Sequence, residues 1–507
     1  MSQPSSIDSA IQGVFGPVVD VLEKVVFFSI PLGGADVPLV VLWLVAGGLF
    51  VTFWLRVRPV RDAMQTIRIV RGHMSRHADP GQVTSFQAMA TELAGTIGLG
   101  NIAGVAVAIT LGGPGATLWI IFAGLLGMAL KLAEATLAQM FRRVNADGSI
   151  TGGPMVYLTD GLASIGKPKL GKIMGLTYAL CFMIAAMGAG NIFQSNQITM
   201  HLVDITGGTA SPLLGRGWLV GIGLAVGAGF VILGGIQKIA SWTSRLVPVM
   251  AALYFAATII IVLVNFHEIP HAFQLIIQGG FTGEGIKGGV IGVAIIGIQR
   301  ALFSNVAGVG SAGLAHSIAK NNRPAEEGFV AAWEPFIDSV VVCTLTAFAI
   351  IVTGEYKNQG QDGILLTTRA FETVHSAFPI ILSICIVLFG FSTVLSYSFY
   401  GRQGVSFVFH GSKTACRAYD IVYLLMIVVG AAVSLDTVVR FSDAVFFVVV
   451  VPNLLGIYLL SGKLKAEIQG YRRMVDSGQY NVVPESERST LLGKPKVDTV
   501  TDASDET

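Results

Sequence analysis

About eleven stretches of this 507-residue chain stay apolar long enough to cross a bilayer, taking roughly 20 mostly apolar residues as one helical crossing. They lie near residues 37 to 57, 86 to 110, 114 to 140, 173 to 202, 217 to 235, 246 to 266, 287 to 318, 328 to 353, 379 to 401, 418 to 433 and 437 to 461. The pattern predicts an all-α integral membrane protein. Residues 8 to 30 read differently: Asp20, Glu23 and Lys24 interrupt the apolar run, which predicts an amphipathic helix on the membrane surface. From about residue 463 the chain turns polar and ends in VDTVTDASDET, so a poorly ordered tail is expected there.

Two of the apolar stretches are interrupted. GTIGLGNIAG, residues 95 to 104, lies midway along the second span, and SNVAGVGSAG, residues 304 to 313, midway along the seventh. Each glycine weakens a helix interior by about 0.5–1 kcal/mol relative to alanine. The cores align as Asn101-Ile-Ala-Gly-Val105 and Asn305-Val-Ala-Gly-Val309, five helices apart. An odd offset makes two successive five-helix units enter the membrane from opposite sides, which is an inverted repeat. Paired glycine-interrupted helices in such repeats unwind near the bilayer centre and free main-chain groups for substrate and ions; free groups at that depth require a polar cavity or protein around them. Close helix packing by small residues, as between Gly98, Gly104 and Gly112, is the competing reading. A dinucleotide loop is excluded, because the required strand, following helix and distant acid are missing.

Composition and charge sharpen this picture. Hydrophobic residues make up 53% of the chain and charged residues 13%, too apolar for a soluble protein of this length. Of the 33 Lys and Arg residues, 25 fall in the tail and in the connectors after the odd-numbered spans up to the ninth. By the positive-inside rule the N-terminus is then outside and the C-terminus cytoplasmic. Cys181, Cys343, Cys385 and Cys416 form no CxxC pair and read as free thiols. The first strongly apolar run begins near residue 37 without a small-residue cleavage site, so no cleavable leader is expected. HExxH, GxSxG and Walker motifs and clustered histidines are missing, which argues against an enzyme.

The segments GTIGLGNIAGVAVAI, GGPGATLW, KLAEATLAQMFR, TGGPMVYL, FSNVAGVGSAGLAHSIA, FIDSVVVCTLTA and FSTVLSYSFYG together resemble the alanine or glycine:cation symporter family over about residues 86 to 460. The resemblance implies eleven transmembrane helices with a LeuT-like 5+5 inverted repeat and one extra N-terminal helix. The expected organisation is an N-terminal amphipathic segment (1–36), the extra helix (37–57), a first repeat (86–266), a second repeat (287–461) and a cytoplasmic tail (462–507), with discontinuous helices at 86–110 and 287–318. It further implies a multi-pass protein of a bacterial-type inner or plasma membrane, taking up small neutral amino acids such as alanine or glycine with sodium as the transported coupling ion. Proton coupling is the alternative within transport; a substrate-gated channel or sensor on the same fold is the alternative outside it. No nucleic-acid partner is expected.

A zwitterionic substrate needs donors for its carboxylate and acceptors for its ammonium. Main-chain N–H groups near Gly98, Leu99 and Gly100, at the start of a half helix, suit the carboxylate, and Thr96 and Asn101 add side-chain oxygens. Phe303, Ser304 and Asn305 complete the cradle, with Phe303 as a lid, and Gln194 forms a polar wall on a face shared with Asn191 and Gln197. Interhelical hydrogen bonding is the alternative for these amides. By resemblance to the LeuT-like fold, sodium is expected between the carbonyls of Ala94, Ile97 and Phe389 and the hydroxyls of Ser392 and Thr393, although membrane Ser and Thr commonly bond their own backbone.

Charges inside spans need a partner or a task. Lys131 and Glu134, one turn apart, are expected to pair; Asp338 stays open between structure and function. Two departures from the family pattern stand out: Val306 where glutamate usually follows the asparagine, and Glu92 where a small or hydroxyl residue is common. Glu92 is therefore expected to serve the cation site, as a sodium ligand or protonatable group; the alternatives are reach to cytoplasmic water or pairing with Arg300. LWII at 118–121 replaces an aromatic-rich stretch, which changes helix or lipid contacts rather than chemistry.

Overall fold

The computed structural model describes residues 17 to 488, except 18, 57–58, 77, 146–147, 284–287, 359–362, 376, 479–481 and 485–486. The start of the N-terminal segment and the end of the tail lie outside the described residues. Helix dominates. Strands are confined, among the described residues, to two short antiparallel pairs, Ser29–Leu32 with Ala35–Pro38 and Arg143–Val144 with Ile150–Thr151.

The first pair corrects the amphipathic helix expected over residues 8 to 30. The described helix ends at Val26, and a hairpin follows whose two-residue turn is Gly33-Gly34, with φ +58° and +83°. Pro31 lacks the N–H that a helix continued through it would use, and paired glycines with positive φ are what a two-residue hairpin turn requires. The acids that interrupt the apolar run have a partner: Arg440 binds both Asp20 and Glu23.

Six described helices are long and apolar enough to cross a membrane: Ala116–Phe141, Pro168–Ile205, Gly235–Val264, Pro324–Val352, Phe378–Val408 and Leu435–Asp476. Ser85–Thr96 and Gly100–Gly112 make a seventh if their 48° bend is one broken span. Leu39–Leu55, Gly217–Ile232 and Gly289–Asn305 are apolar but shorter, and Lys413–Gly430 carries Lys413, Arg417 and Asp420. Phe53, Phe230, Val249 and Ile380 are exposed; apolar side chains so placed suit a lipid solvent.

The broken helices lie inside. Ser85–Thr96 packs between Gly235–Val264 and Phe378–Val408, while Gly289–Asn305 and Ser311–His316 lie against Ala116–Phe141. Among the described residues, wide π-helical turns interrupt four helices, at Gly100–Gly104, Tyr157–Gly161, Gly188–Ile192 and Phe336–Val342. Such turns cluster at functional sites because they re-aim side chains and leave the regular ladder incomplete. Two of them carry Asn101 and Asp338, and a third ends two residues before Gln194.

Candidate functional site

The first helix starts on a capping box between Thr84 and Gln87 and loses its winding at Ile97. From there the main chain finds partners outside the helical ladder. Gly98 N–H donates to the Asn101 side-chain oxygen at 3.1 Å, and Leu99 N–H donates to Gln194 Oε1 at 3.2 Å. The glycines permit close approach. A Cβ on Gly98 would sit 2.5 Å from Thr393 Oγ1, and one on Gly100 would be 3.3 Å from both Phe303 Cδ1 and Ser304 Cα. Gly104, by contrast, has open space around its would-be Cβ, so it contributes nothing to packing, whereas Gly112 does pack, against Ala116 and Ile296. Thr96 Oγ1 is buried and without a hydrogen-bond partner among the described residues. Such orphans are uncommon in folded proteins; Thr117 Oγ1 and Ser442 Oγ share that state here.

The second break runs from Val306, at φ +57°, through Gly308 and Gly310, at φ +93° and +96°. Asn305 repeats the device of Asn101, its side-chain oxygen accepting from Ala307 N–H at 2.9 Å. The two breaks meet at Asp338. Its carboxylate accepts from Asn101 Nδ2 at 2.8 Å on one oxygen and from Ser304 Oγ at 2.5 Å on the other. Phe303 packs edge-on to Phe193 with ring centres 4.6 Å apart, and also touches Phe446. Of the shared face expected on the fourth span, only Gln194 reaches the break. Asn191, inside the π-turn at Gly188–Ile192, donates to the Tyr423 carbonyl, and Gln197 accepts from Ile364 N–H.

Four of the five expected sodium oxygens gather in one place. The Thr393 hydroxyl lies 3.0 Å from both the Ala94 and the Phe389 carbonyl, and that of Ser392 lies 3.3 and 2.9 Å from the same two. Both hydroxyls thus bond their own helix and also reach across to the first broken helix. Ile97 stands at the end of that helix with ψ 77°. The set is all oxygen, as a hard cation prefers.

The buried charges are arranged otherwise than their spacing suggests. Lys131 does not pair with Glu134; its ammonium binds Glu92 at 2.5 Å and Glu334 at 3.3 Å. Glu134 instead accepts from the N–H groups of Gly308 and Gly310 and from Asn453 Nδ2, at 2.8, 3.1 and 2.9 Å. The unwound segment leaves those N–H groups without helical acceptors, and a carboxylate answers them well. Arg300 pairs with Asp443, so it is not the partner of Glu92. Besides Lys131, Glu92 accepts from Ser311 Oγ and Tyr400 OH, both at 2.6 Å. It ties the first broken helix to the second.

A cavity of about 1190 Å³ approaches this region from the side bearing Arg143, Lys172, Arg402 and Lys413, and reaches Ser398 and Phe399. Ser398 lies five residues beyond Thr393 on the same helix, about 7.5 Å along its axis at 1.5 Å per residue.

Comparison with known proteins decides the family, since the profile of the sodium:alanine symporter family matches residues 26–485. The chain belongs to that family. Its relatives include the sodium/alanine symporter AgcS of Methanococcus maripaludis, 35% identical over 441 residues, which are 86% of this chain and 95% of AgcS. The probable sodium/glutamine symporter GlnT of Bacillus subtilis is 32% identical over 444 residues, 87% of this chain and 89% of GlnT. The putative sodium/proton-dependent alanine carrier YrbD of the same organism is 31% identical over 444 residues, 84% and 87% of the two chains. The crystal structure of MhsT in complex with L-phenylalanine superposes with a TM-score of 0.55 over 77% of this chain and 92% of MhsT, at 16% identity. That likeness establishes the LeuT-like fold. This member of the sodium:alanine symporter family is thus a multi-pass membrane transporter, not an enzyme, and its coupling ion by family is sodium.

Several residues at this symporter's centre receive no role from the sequence, although Ser311, His316 and Tyr400 lie within its family motifs. Tyr400, Ser311, Glu334, His316 and Glu327 are buried polar groups in or beside apolar segments. Their signal is their cost: each charge in such a segment needs a partner, but the partner lies in another helix.

Proposed function

We propose that this symporter imports a small neutral amino acid, alanine or glycine, together with sodium by alternating access. The observation that carries this reading is the meeting of the two helix breaks around Gly98, Thr96, Phe303 and Gln194. In it, main-chain N–H groups at 98–100 receive the substrate carboxylate, those of Gly98 and Leu99 exchanging for it the Asn101 and Gln194 oxygens they now donate to; the unpartnered Thr96 hydroxyl and the released Gln194 amide orient it, and Phe303 with Phe193 closes over a short side chain. A Cβ at Gly100 would lie 3.3 Å from Phe303 and Ser304, so the two broken helices approach closely beside this site; the small substrate follows the alanine of the family to which the chain belongs. Sodium takes the oxygens of Ala94, Ile97, Phe389, Ser392 and Thr393. Its charge reaches the substrate through the shared first break, so each favours the binding of the other.

The positive-inside count supports an outside N-terminus and a cytoplasmic C-terminus. The cavity lined by Arg143, Lys172, Arg402 and Lys413 is then the cytoplasmic path. We read the membrane part as one helix (37–57) followed by two inverted five-helix repeats (86–266 and 287–461). Labelled alanine uptake into proteoliposomes, first under an inward sodium gradient and then under a pH gradient alone, tests the coupling. Uptake indifferent to sodium sinks it, and uptake driven by the pH gradient alone favours proton symport. Competition by a panel of amino acids ranks the substrates.

A further inference from the structure

Between the breaks and the basic side of the membrane lies a cluster that the proposed substrate and sodium sites leave unused. His316 ends the short helix Ser311–His316 and is wholly buried. Its Nδ1 lies 2.7 Å from Glu327 Oε2 and its Nε2 lies 2.8 Å from Glu334 Oε1, with both carboxyl groups equally buried. A neutral imidazole carries a single N–H. Two hydrogen bonds between one ring and two carboxylates need two hydrogens, so the triad holds one proton more than a neutral histidine and two carboxylates supply. The ring is the more basic group, with an ordinary pKa of about 6.5 against about 4.3 for glutamate, so the proton resides on His316.

The triad joins the parts that must separate for that side to open. Glu327 Oε1 accepts from Ser85 Oγ, at the start of the first broken helix, at 2.5 Å, and from Asn321 Nδ2 at 3.2 Å. Glu334 Oε2 faces the Lys131 ammonium, which also holds Glu92, with Glu134 one turn along the same helix. Arg142 donates to the carbonyls of Ser317, Ala319 and Asn321 and, at the edge, to that of Pro80, which places a further positive charge beside the triad. Losing the proton therefore breaks a hydrogen bond, neutralises the ring and leaves one buried carboxylate charge uncompensated, which is costly without a partner.

We propose that Glu327, His316 and Glu334 form a proton-binding site, exchanging with the basic side, whose occupied state clamps the ends of the two broken helices together and whose release allows that side to open. The proton leaves His316 by way of Glu327 to water, and no other covalent bond changes. This rests on the alternating-access reading above, with the basic side cytoplasmic.

The test uses the full chain in oriented right-side-out vesicles at a fixed sodium gradient and external pH, with internal pH varied from about 6 to about 9. Alanine uptake by the wild type is expected to change about tenfold across that range, His316→Gln to be flat, and Glu327→Gln to move the midpoint by about one pH unit or more. Nitrogen-15 histidine spectra of the same protein in bilayers, with the signal assigned by its loss in His316→Gln, are expected to show a doubly protonated ring at pH 8. A neutral ring at pH 7 overturns the proposal, as does a folded His316→Gln that keeps the wild-type pH profile. Should that variant fail to reach the membrane, an unshifted Glu327→Gln overturns it equally. If the wild type takes up no alanine, the transport reading falls, while the spectrum still decides whether the proton is there.

Discussion

Gly98 and Gly104 look alike on paper and behave oppositely in the fold. A methyl group at Gly98 collides with the Thr393 hydroxyl, whereas one at Gly104 meets nothing within 4 Å. Gly98→Ala is therefore expected to lower sodium-driven uptake at least tenfold and Gly104→Ala to leave it within a factor of about two, as measured by initial rates in proteoliposomes; equal effects would restore the packing reading for both. Lys131 makes a second residue-scale case. Replacing it with Met strands Glu92 and Glu334 in the interior, and removing one partner of a buried pair typically costs about 3–5 kcal/mol. Lys131→Met is expected to lose folded yield and thermal stability, with partial recovery when Glu92→Gln is added. Spacing points Lys131 to Glu134; the structure points it to Glu92, because the N–H groups of Gly308 and Gly310 already claim Glu134. That competition is settled across helices and leaves no trace in local spacing.

At the scale of elements, the breaks themselves are legible in sequence: glycines crowd where helices should continue, and the matched Asn-x-Ala-Gly-Val cores mark both. What holds the broken ends is less legible. Asp338, on the π-turn after Pro335, gathers Asn101 from one break and Ser304 from the other. Asp338→Asn turns one acceptor oxygen into a donor facing Asn101 or Ser304, so uptake is expected to fall at least tenfold while the protein still reaches the membrane; unchanged uptake would show that the link is dispensable. The sodium oxygens make a separable prediction. Thr393→Ala removes one of the hydroxyls beside Ala94 and is expected to raise the sodium concentration for half-maximal uptake about tenfold, equivalent to about 1.4 kcal/mol. An unchanged sodium response would move the ion elsewhere.

At the scale of the whole molecule, the charge distribution and the cavity make one prediction together. Ser398→Cys, in a background without the native cysteines, is expected to react with a membrane-impermeant maleimide from the side of Arg143 alone, in inside-out but not right-side-out vesicles. Reaction from the opposite side would reverse the assigned orientation or direction of opening. Family membership, the helical membrane class and the places of the two breaks follow from the chain read in order, because hydropathy, glycine cost and motif order are local properties. The hairpin after Val26 was legible too, in Pro31 and Gly33-Gly34, but the apolar run around it masked the turn. Only the tertiary structure joins Lys131 to Glu92, Asp338 to both breaks, and His316 to two carboxylates. A buried charge announces in sequence that it needs a partner; which helix supplies that partner depends on packing between segments far apart along the chain.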